Sequence, residues 1–203
     1  MKTKKTTAIQ ALVLLALSLT LALAFTACSK SDGGGSSGGS GSGSVGGGGD
    51  KSLNSATELK EYLDQQPANS PDQPIKVAMK ANDMMIKDIV KVMNDAGKYV
   101  SLDLSGSPLT EIPRAAFYGC KTLSGITIPN SVTSIRSDAF GRCDNLTSVT
   151  FQGTIPSSGF GAAGDIAPFY GDLESKYLAG GIGTYTRTAE TNNIGTFYTW
   201  TKQ

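Results

Sequence analysis

The chain has 203 residues, with 18 basic and 17 acidic side chains and no histidine. A charge balance this close to zero argues against nucleic-acid binding, which needs a basic surface to displace phosphate counterions. The absence of histidine removes the commonest general base and the commonest metal ligand. We therefore expect no enzymatic activity, no catalytic or metal-binding residues and no cofactor.

The first 27 residues have the composition of a secretory signal. Three lysines are followed by an apolar run over residues 11–25, and Thr26-Ala27 precede Cys28. This arrangement resembles the signal of bacterial lipoproteins, in which a short apolar helix leads to small residues and a thiol at the cleavage point. The resemblance implies that residues 1–27 are removed and that Cys28 carries lipid. The alternative is an uncleaved membrane anchor, for which the apolar run is short.

Residues 28–52 are predicted to be the lipidated cysteine and a flexible tether. Glycine and serine dominate this segment, which cannot bury enough apolar area to offset the entropy of ordering it. A coil of roughly 22 such residues has an end-to-end distance of about 25 Å. The lipoprotein resemblance places the protein in the bacterial cell envelope. Because Ser29 is not the aspartate that retains some lipoproteins at the inner membrane, it favours the outer membrane and surface exposure.

Residues 53–98 are predicted to form an N-terminal cap. Ser55 and Glu58 have the spacing of a capping box that starts a helix. A strand is expected over 75–79, because apolar and polar residues alternate there. Apolar residues at helical spacing over 84–96, followed by Gly97, predict a second helix that ends at the glycine.

Two nearly identical five-residue segments, AFYGC at 116–120 and AFGRC at 139–143, are 23 residues apart. Apolar positions on both sides repeat with the same spacing, which predicts stacked repeats over 99–156 that share one core. Alternating strands are expected at 100–104, 126–128 and 149–151. The matching pairs are Leu109/Val132, Ile112/Ile135, Phe117/Phe140, Cys120/Cys143, Leu123/Leu146, Ile126/Val149 and Ile128/Phe151.

Residues 157–203 are predicted to be a degenerate repeat and a C-terminal cap. Phe169-Tyr170-Gly171 repeats the pattern of residues 117–119, but 29 residues after Phe140. A short helix is expected over 172–179. Strand composition at 184–187 and 196–201 predicts a terminal hairpin, and Trp200 is expected to cover the last repeat, with an exposed contact patch as the alternative.

The sequence from 109 to 151 resembles the BspA-like class of leucine-rich repeat found in bacterial surface lipoproteins. It follows the pattern AF-x-x-C-x-x-L-x-x-I-x-I-P-x-x-V-x-x-I that is typical of the class. The resemblance implies an α/β repeat fold, a short solenoid with a parallel strand ladder, a helical cap at its N-terminal end and a hairpin cap at its C-terminal end. It also implies adhesion to a host-matrix or cell-surface protein.

Strand alternation predicts which side chains face outward and could contact a partner. The candidate binding face is formed by Ser101, Asp103, Thr127, Ser148, Thr150 and Gln152. Cys120 and Cys143 are best interpreted as small buried core residues. A disulfide between adjacent repeats and a catalytic thiol are the alternatives, the latter without a histidine to activate it.

Three functions remain open at this point. The first is a lipid-anchored, non-enzymatic binding or adhesion module of the envelope. The second is an accessory or vestigial envelope lipoprotein without a partner, suggested by the small number of repeats. The third is an envelope glycan hydrolase that uses two carboxylates.

Lipidation of Cys28 can be tested directly. We expect Cys28→Ala to leave the chain unprocessed and unlabelled when cells are fed a radioactive fatty acid, because the acyl acceptor is lost. Cys120→Ala is the matched control and should still be labelled. Equal labelling of the Cys28 variant and the wild type would contradict the prediction.

Overall fold

The computed structural model describes residues 52–161, 169–187 and 198–203. The predicted signal over 1–27, all but the last residue of the predicted tether, and the turn expected between the last two strands lie outside the described residues. Within the described ranges, no helix is both long and apolar enough to cross a membrane.

Two helices occupy the N-terminal segment, as predicted. Helix α1 (Ala56–Asp64) begins at a capping box, in which the Ser55 hydroxyl accepts a hydrogen bond from the backbone N–H of Glu58 at 3.1 Å. The Glu58 carboxylate in turn accepts one from the N–H of Asn54 at 2.8 Å. Helix α2 (Ile86–Ala96) ends at Gly97, whose φ of 61° is in the left-handed region that glycine tolerates.

The strands form one large sheet and one small one. They are β1 (Ile75–Ala78), β2 (Val100–Asp103), β3 (Glu111–Ile112), β4 (Leu123–Ile128), β5 (Ser134–Ile135), β6 (Ser148–Phe151), β7 (Gly183–Thr186) and β8 (Thr201–Lys202). Strands β1, β2, β4 and β6 pair in parallel, which confirms the predicted ladder, and β7 and β8 continue the same sheet in antiparallel pairing. Helix α3 (Leu173–Gly180) precedes β7.

A second, two-stranded ladder lies on the connections between repeats and was not predicted. Strands β3 and β5 pair in parallel, and Ile135 continues the ladder by a bridge to Phe160. The segments AFYGC and AFGRC lie in turns. These turns bond from one repeat to the next, because the N–H groups of Phe117 and Gly119 donate to the carbonyls of Ala139 and Gly141, both at 2.8 Å.

The 23-residue register predicted from the sequence is confirmed. Ile126 lies opposite Val149 in the large sheet, and Ile112 lies opposite Ile135 in the small one. All fourteen residues of the seven matching pairs are buried in one core. Neighbouring repeats therefore bury each other's apolar side chains, which neither could do alone.

Three phenylalanines stack through this core. The rings of Phe117 and Phe140 have centroids 5.2 Å apart and are inclined by 3°. The rings of Phe140 and Phe169 are 4.7 Å apart and inclined by 8°. Phe169 thus stacks on Phe140 as Phe140 stacks on Phe117.

Equivalent positions of the two close repeats also share an unusual backbone conformation. Ala115 and Asp138 have φ of 54° and 58°, and Gly119 and Arg142 have φ of 71° and 54°. Each turn therefore contains two left-handed residues four positions apart. Three of the four are not glycine, so the repeat accepts a local conformational cost to keep the turn geometry constant.

We expect Phe140→Ala to lower the free energy of unfolding by about 3–5 kcal/mol, because it leaves a cavity between two stacked rings. Leu178→Ala is the control, since Leu178 is 46 % exposed and should change stability by no more than about 0.5 kcal/mol. Denaturant melts measure both values. A loss below about 1 kcal/mol for Phe140→Ala would show that this ring does not hold the repeats together.

Candidate binding face

The six predicted face residues lie on the side of the large sheet that faces away from the core, and all but Gln152 are half-buried. Strand pairing places Ser101, Gly125 and Ser148 side by side in one row. It places Asp103, Thr127 and Thr150 side by side in a second row. The residues between them in each strand point into the core and are buried. Gln152 follows β6 and is exposed.

Strand β7 extends both rows, which the sequence did not indicate. Thr186 lies opposite Ser148, and Thr184 lies opposite Thr150. The hydroxyls of Thr150 and Thr184 are hydrogen-bonded to each other at 2.9 Å. The predicted strand over 184–187 was correct to within one residue. Its partner and register were not predictable, because β7 lies outside the 23-residue repeat.

The face is flat, small and nearly neutral. Gly125 leaves no side chain in the first row, and a Cβ there would meet the Ser101 hydroxyl at 2.7 Å. The Asp103 carboxylate accepts a hydrogen bond from the N–H of Ser105 at 2.8 Å, so its charge is partly satisfied within the chain. At the far edge, the Gln203 amide donates to the Thr186 hydroxyl at 2.6 Å. The six residues therefore offer hydroxyl groups, the Gln152 amide and a single carboxylate to a partner.

The repeat cysteines are free and buried, as the core interpretation predicted. The Cys143 thiol donates to the Phe117 carbonyl at 3.0 Å, which ties its side chain to the preceding repeat. Burial raises the pKa of both thiols, and for Cys143 the neighbouring Cys120 raises it further. Both groups are therefore neutral near physiological pH, and a neutral thiol is a poor nucleophile.

Trp200 covers the last repeat, as expected. Its side chain is 2 % exposed, and its indole N–H donates to the Tyr170 carbonyl at 3.2 Å. The Asp172 carboxylate accepts from the Trp200 backbone N–H at 2.8 Å. The interpretation of Trp200 as an exposed contact residue is therefore wrong.

The acidic side chains do not assemble into a metal site in the described part of the chain, where no three His, Cys, Asp or Glu residues could hold an ion together. Several acids lie instead in surface ion pairs. Asp64 pairs with Lys60 at 2.5 Å, and Glu111 pairs with Arg136 at 2.8 Å. Exposed pairs of this kind contribute little to stability.

Comparison with known proteins gives one match. Residues 95–162 match the family model described as the BspA type leucine rich repeat region (6 copies). The match includes all of the repeat region predicted over 99–156. Neither the curated proteins nor the solved structures contain a match to the chain.

The burial of the thiols predicts their reactivity. We expect iodoacetamide to modify Cys120 and Cys143 only after unfolding in guanidinium, as followed by mass spectrometry. Because burial raises the pKa of both groups, a rise from pH 7 to pH 9 should accelerate labelling of the unfolded chain and leave the folded chain unlabelled. Labelling of the folded chain at the rate of the unfolded one would contradict this burial.

Proposed function

We propose that the chain is a non-enzymatic binding module of the bacterial cell envelope, because residues 95–162 match the family model of the BspA type leucine rich repeat region. Repeats of this type suggest a protein-interaction or adhesion role. The partner we propose is a host-matrix or cell-surface protein. No cofactor or metal takes part.

The proposed architecture is a short leucine-rich-repeat solenoid with closed ends. Helices α1 and α2 pack against each other at the N-terminal end, where Leu59, Leu63, Ile89 and Met93 are buried in the core. The antiparallel strands β7 and β8, with Trp200, cover the other end. Closed ends are what a stack of so few repeats needs, since each open end would expose the shared core.

Lipid on Cys28 and the tether that follows it hold the module at the membrane in this proposal. The basic start, apolar run and small residues before Cys28 support the anchor. The glycine- and serine-rich segment after it supports a domain that reaches about 25 Å from the lipid surface. The outer membrane is the proposed location.

The proposal for the contact surface rests on the alignment of hydroxyl groups on the sheet. Two rows cross four strands in register, from β2 to β7, and no large side chain separates them. The sheet has six strands, so it is about 24 Å across at the usual strand spacing. An extended segment of a partner could lie along these rows and bond to Thr127 and its neighbours.

The affinity of one copy should be low. The six predicted residues and Thr184 and Thr186 include no tryptophan, tyrosine or arginine, the residues that dominate binding energy in most interfaces. Anchoring many copies in one membrane offsets this weakness, because multivalent contact raises the effective affinity by roughly 10²–10⁴. The same composition favours the second candidate function, an accessory envelope lipoprotein without a partner.

Display on a membrane distinguishes the binding module from the accessory lipoprotein. We expect the full chain to bind immobilised fibronectin, laminin or collagen when densely displayed on liposomes, and to show little binding as single copies. Asp103→Arg with Thr127→Arg should abolish the binding, because two long cations interrupt both rows. Thr133→Arg, an exposed threonine on the other ladder, is the matched control.

Surface plasmon resonance against each immobilised protein provides the readout. Loss in the double variant with retention in the Thr133 variant would support contact through the sheet. If the wild-type protein bound neither on liposomes nor as single copies, the result would favour the accessory role.

A further inference from the structure

Exposed tyrosines line the turns at the side of the repeats, away from the strand face. Tyr118 is 45 % exposed and Tyr170 is 40 % exposed. They follow Phe117 and Phe169, the first and third rings of the buried stack, so they occupy equivalent positions two repeats apart. At the usual ladder spacing, two repeats separate their backbones by about 10 Å.

The residue between them in the repeat is Gly141, and its missing side chain determines how Tyr118 lies. A Cβ at Gly141 would meet Cδ2 and Cε2 of the Tyr118 ring at 2.9 and 3.1 Å. The ring therefore covers the backbone of the next repeat and leaves its other side open to solvent. Any larger residue at 141 would push the ring away from the surface.

A cation lies beside this ring. The Arg142 guanidinium is 6.0 Å from the centroid of Tyr118, and the side chain is exposed. None of the ion pairs formed among the described residues involves Arg142. Further along, the ring of Tyr198 is 6.5 Å from that of Tyr170, and the Arg187 guanidinium lies over the Tyr198 ring, 3.7 Å from its centroid. We call Tyr118, Arg142, Tyr170 and Tyr198 the aromatic edge.

We propose that the aromatic edge binds a linear acidic glycan, a β-1,4-linked chain whose sugars carry carboxylates. The apolar C–H face of a sugar ring packs on the face of an aromatic ring, and the tyrosine hydroxyls can bond to sugar hydroxyls. In an extended chain of this linkage, each sugar spans about one repeat of the ladder. Tyr118 and Tyr170 can then support sugars two positions apart.

Charge complementarity selects the acidic form of such a glycan. The Arg142 guanidinium offers five N–H donors in a planar fork that matches a carboxylate. A carboxylate on the sugar that packs on Tyr118 would lie within its reach. A neutral glycan of the same linkage would offer this cation no carboxylate.

The shape of the edge favours a glycan over a protein. The tyrosines follow one line along the ladder, whereas protein hot spots cluster at the centre of a contact ring that excludes water. Four side chains also cover far less area than the roughly 800 Å² per partner of a stable protein interface. This proposal concerns a different surface and ligand class from the strand face and does not depend on it.

Calorimetry with the purified full chain tests the proposal. The probe is a hexamer of β-1,4-linked mannuronate, and the matched ligand is mannohexaose, which has the same linkage and no carboxylate. We expect the hexamer to bind more tightly than mannohexaose and more tightly than the mannuronate dimer, which is too short to reach both tyrosines.

Three variants and two controls locate the contact. Tyr118→Ala and Tyr170→Ala should each weaken binding roughly fivefold to tenfold, the equivalent of one aromatic contact. Arg142→Gln should remove the preference for mannuronate over mannose. Tyr62→Ala, which truncates a tyrosine 36 % exposed in α1, and Leu178→Ala, which truncates an exposed leucine in α3, should leave glycan binding unchanged. Thermal melts confirm that each variant is folded.

Several results would overturn the proposal. They are the absence of hexamer binding to the folded wild type, equal binding by wild type and the Tyr118→Ala/Tyr170→Ala double variant, and equal affinity for mannuronate and mannose hexamers. Loss of host-matrix binding in the double variant, with no glycan binding by the wild type, would assign the aromatic edge to a protein partner. Because Asp103→Arg with Thr127→Arg tests the strand face separately, either surface can fail without the other.

Discussion

Stacking of one repeat on the next is the constraint on which the rest of the molecule depends. A single repeat contributes one short strand to each ladder and has an apolar stripe that it cannot bury alone. Phe117, Phe140 and Phe169 provide the contact that closes this stripe, with ring centroids 5.2 and 4.7 Å apart. Backbone hydrogen bonds run beside them from turn to turn and from strand to strand. The rings contribute buried apolar area to this contact, and the hydrogen bonds hold the 23-residue register.

Both candidate surfaces are consequences of that register. Strand pairing aligns the outward side chains of neighbouring strands, so Asp103, Thr127 and Thr150 form a row on the outer face of the sheet. Turn stacking does the same for Tyr118 and Tyr170. The two surfaces differ in the chemistry that they repeat, small hydroxyls on the sheet and aromatic rings on the turns. A loss of stacking would therefore disturb both surfaces together, whereas substitutions of exposed side chains disturb them one at a time.

The sequence predicted the features that leave a recognisable pattern of residues. Seven apolar pairs at a spacing of 23 predicted the core and the parallel ladder, and Ser55 with Glu58 predicted the start of α1. The ladder of β3 and β5 was missed, because two-residue strands are too short to show alternation. The pairing of β7 with β6 was missed because it depends on how a non-repeated segment returns to the sheet. For the sites, alternation predicted the strand face, but the exposure of Tyr118 depends on left-handed turn residues such as Ala115, which have no signature in the sequence.

Coupling between stacked rings tests this account most directly. A double-mutant cycle with Phe140→Leu and Phe169→Leu, measured by denaturant unfolding, isolates the energy that the two rings contribute only together. The account predicts a coupling of about 0.5–1.5 kcal/mol for this pair, a similar value for Phe117 with Phe140, and none for Phe117 with Phe169, which have Phe140 between them. Additive losses for both adjacent pairs would contradict the claim that ring stacking holds the repeats in register.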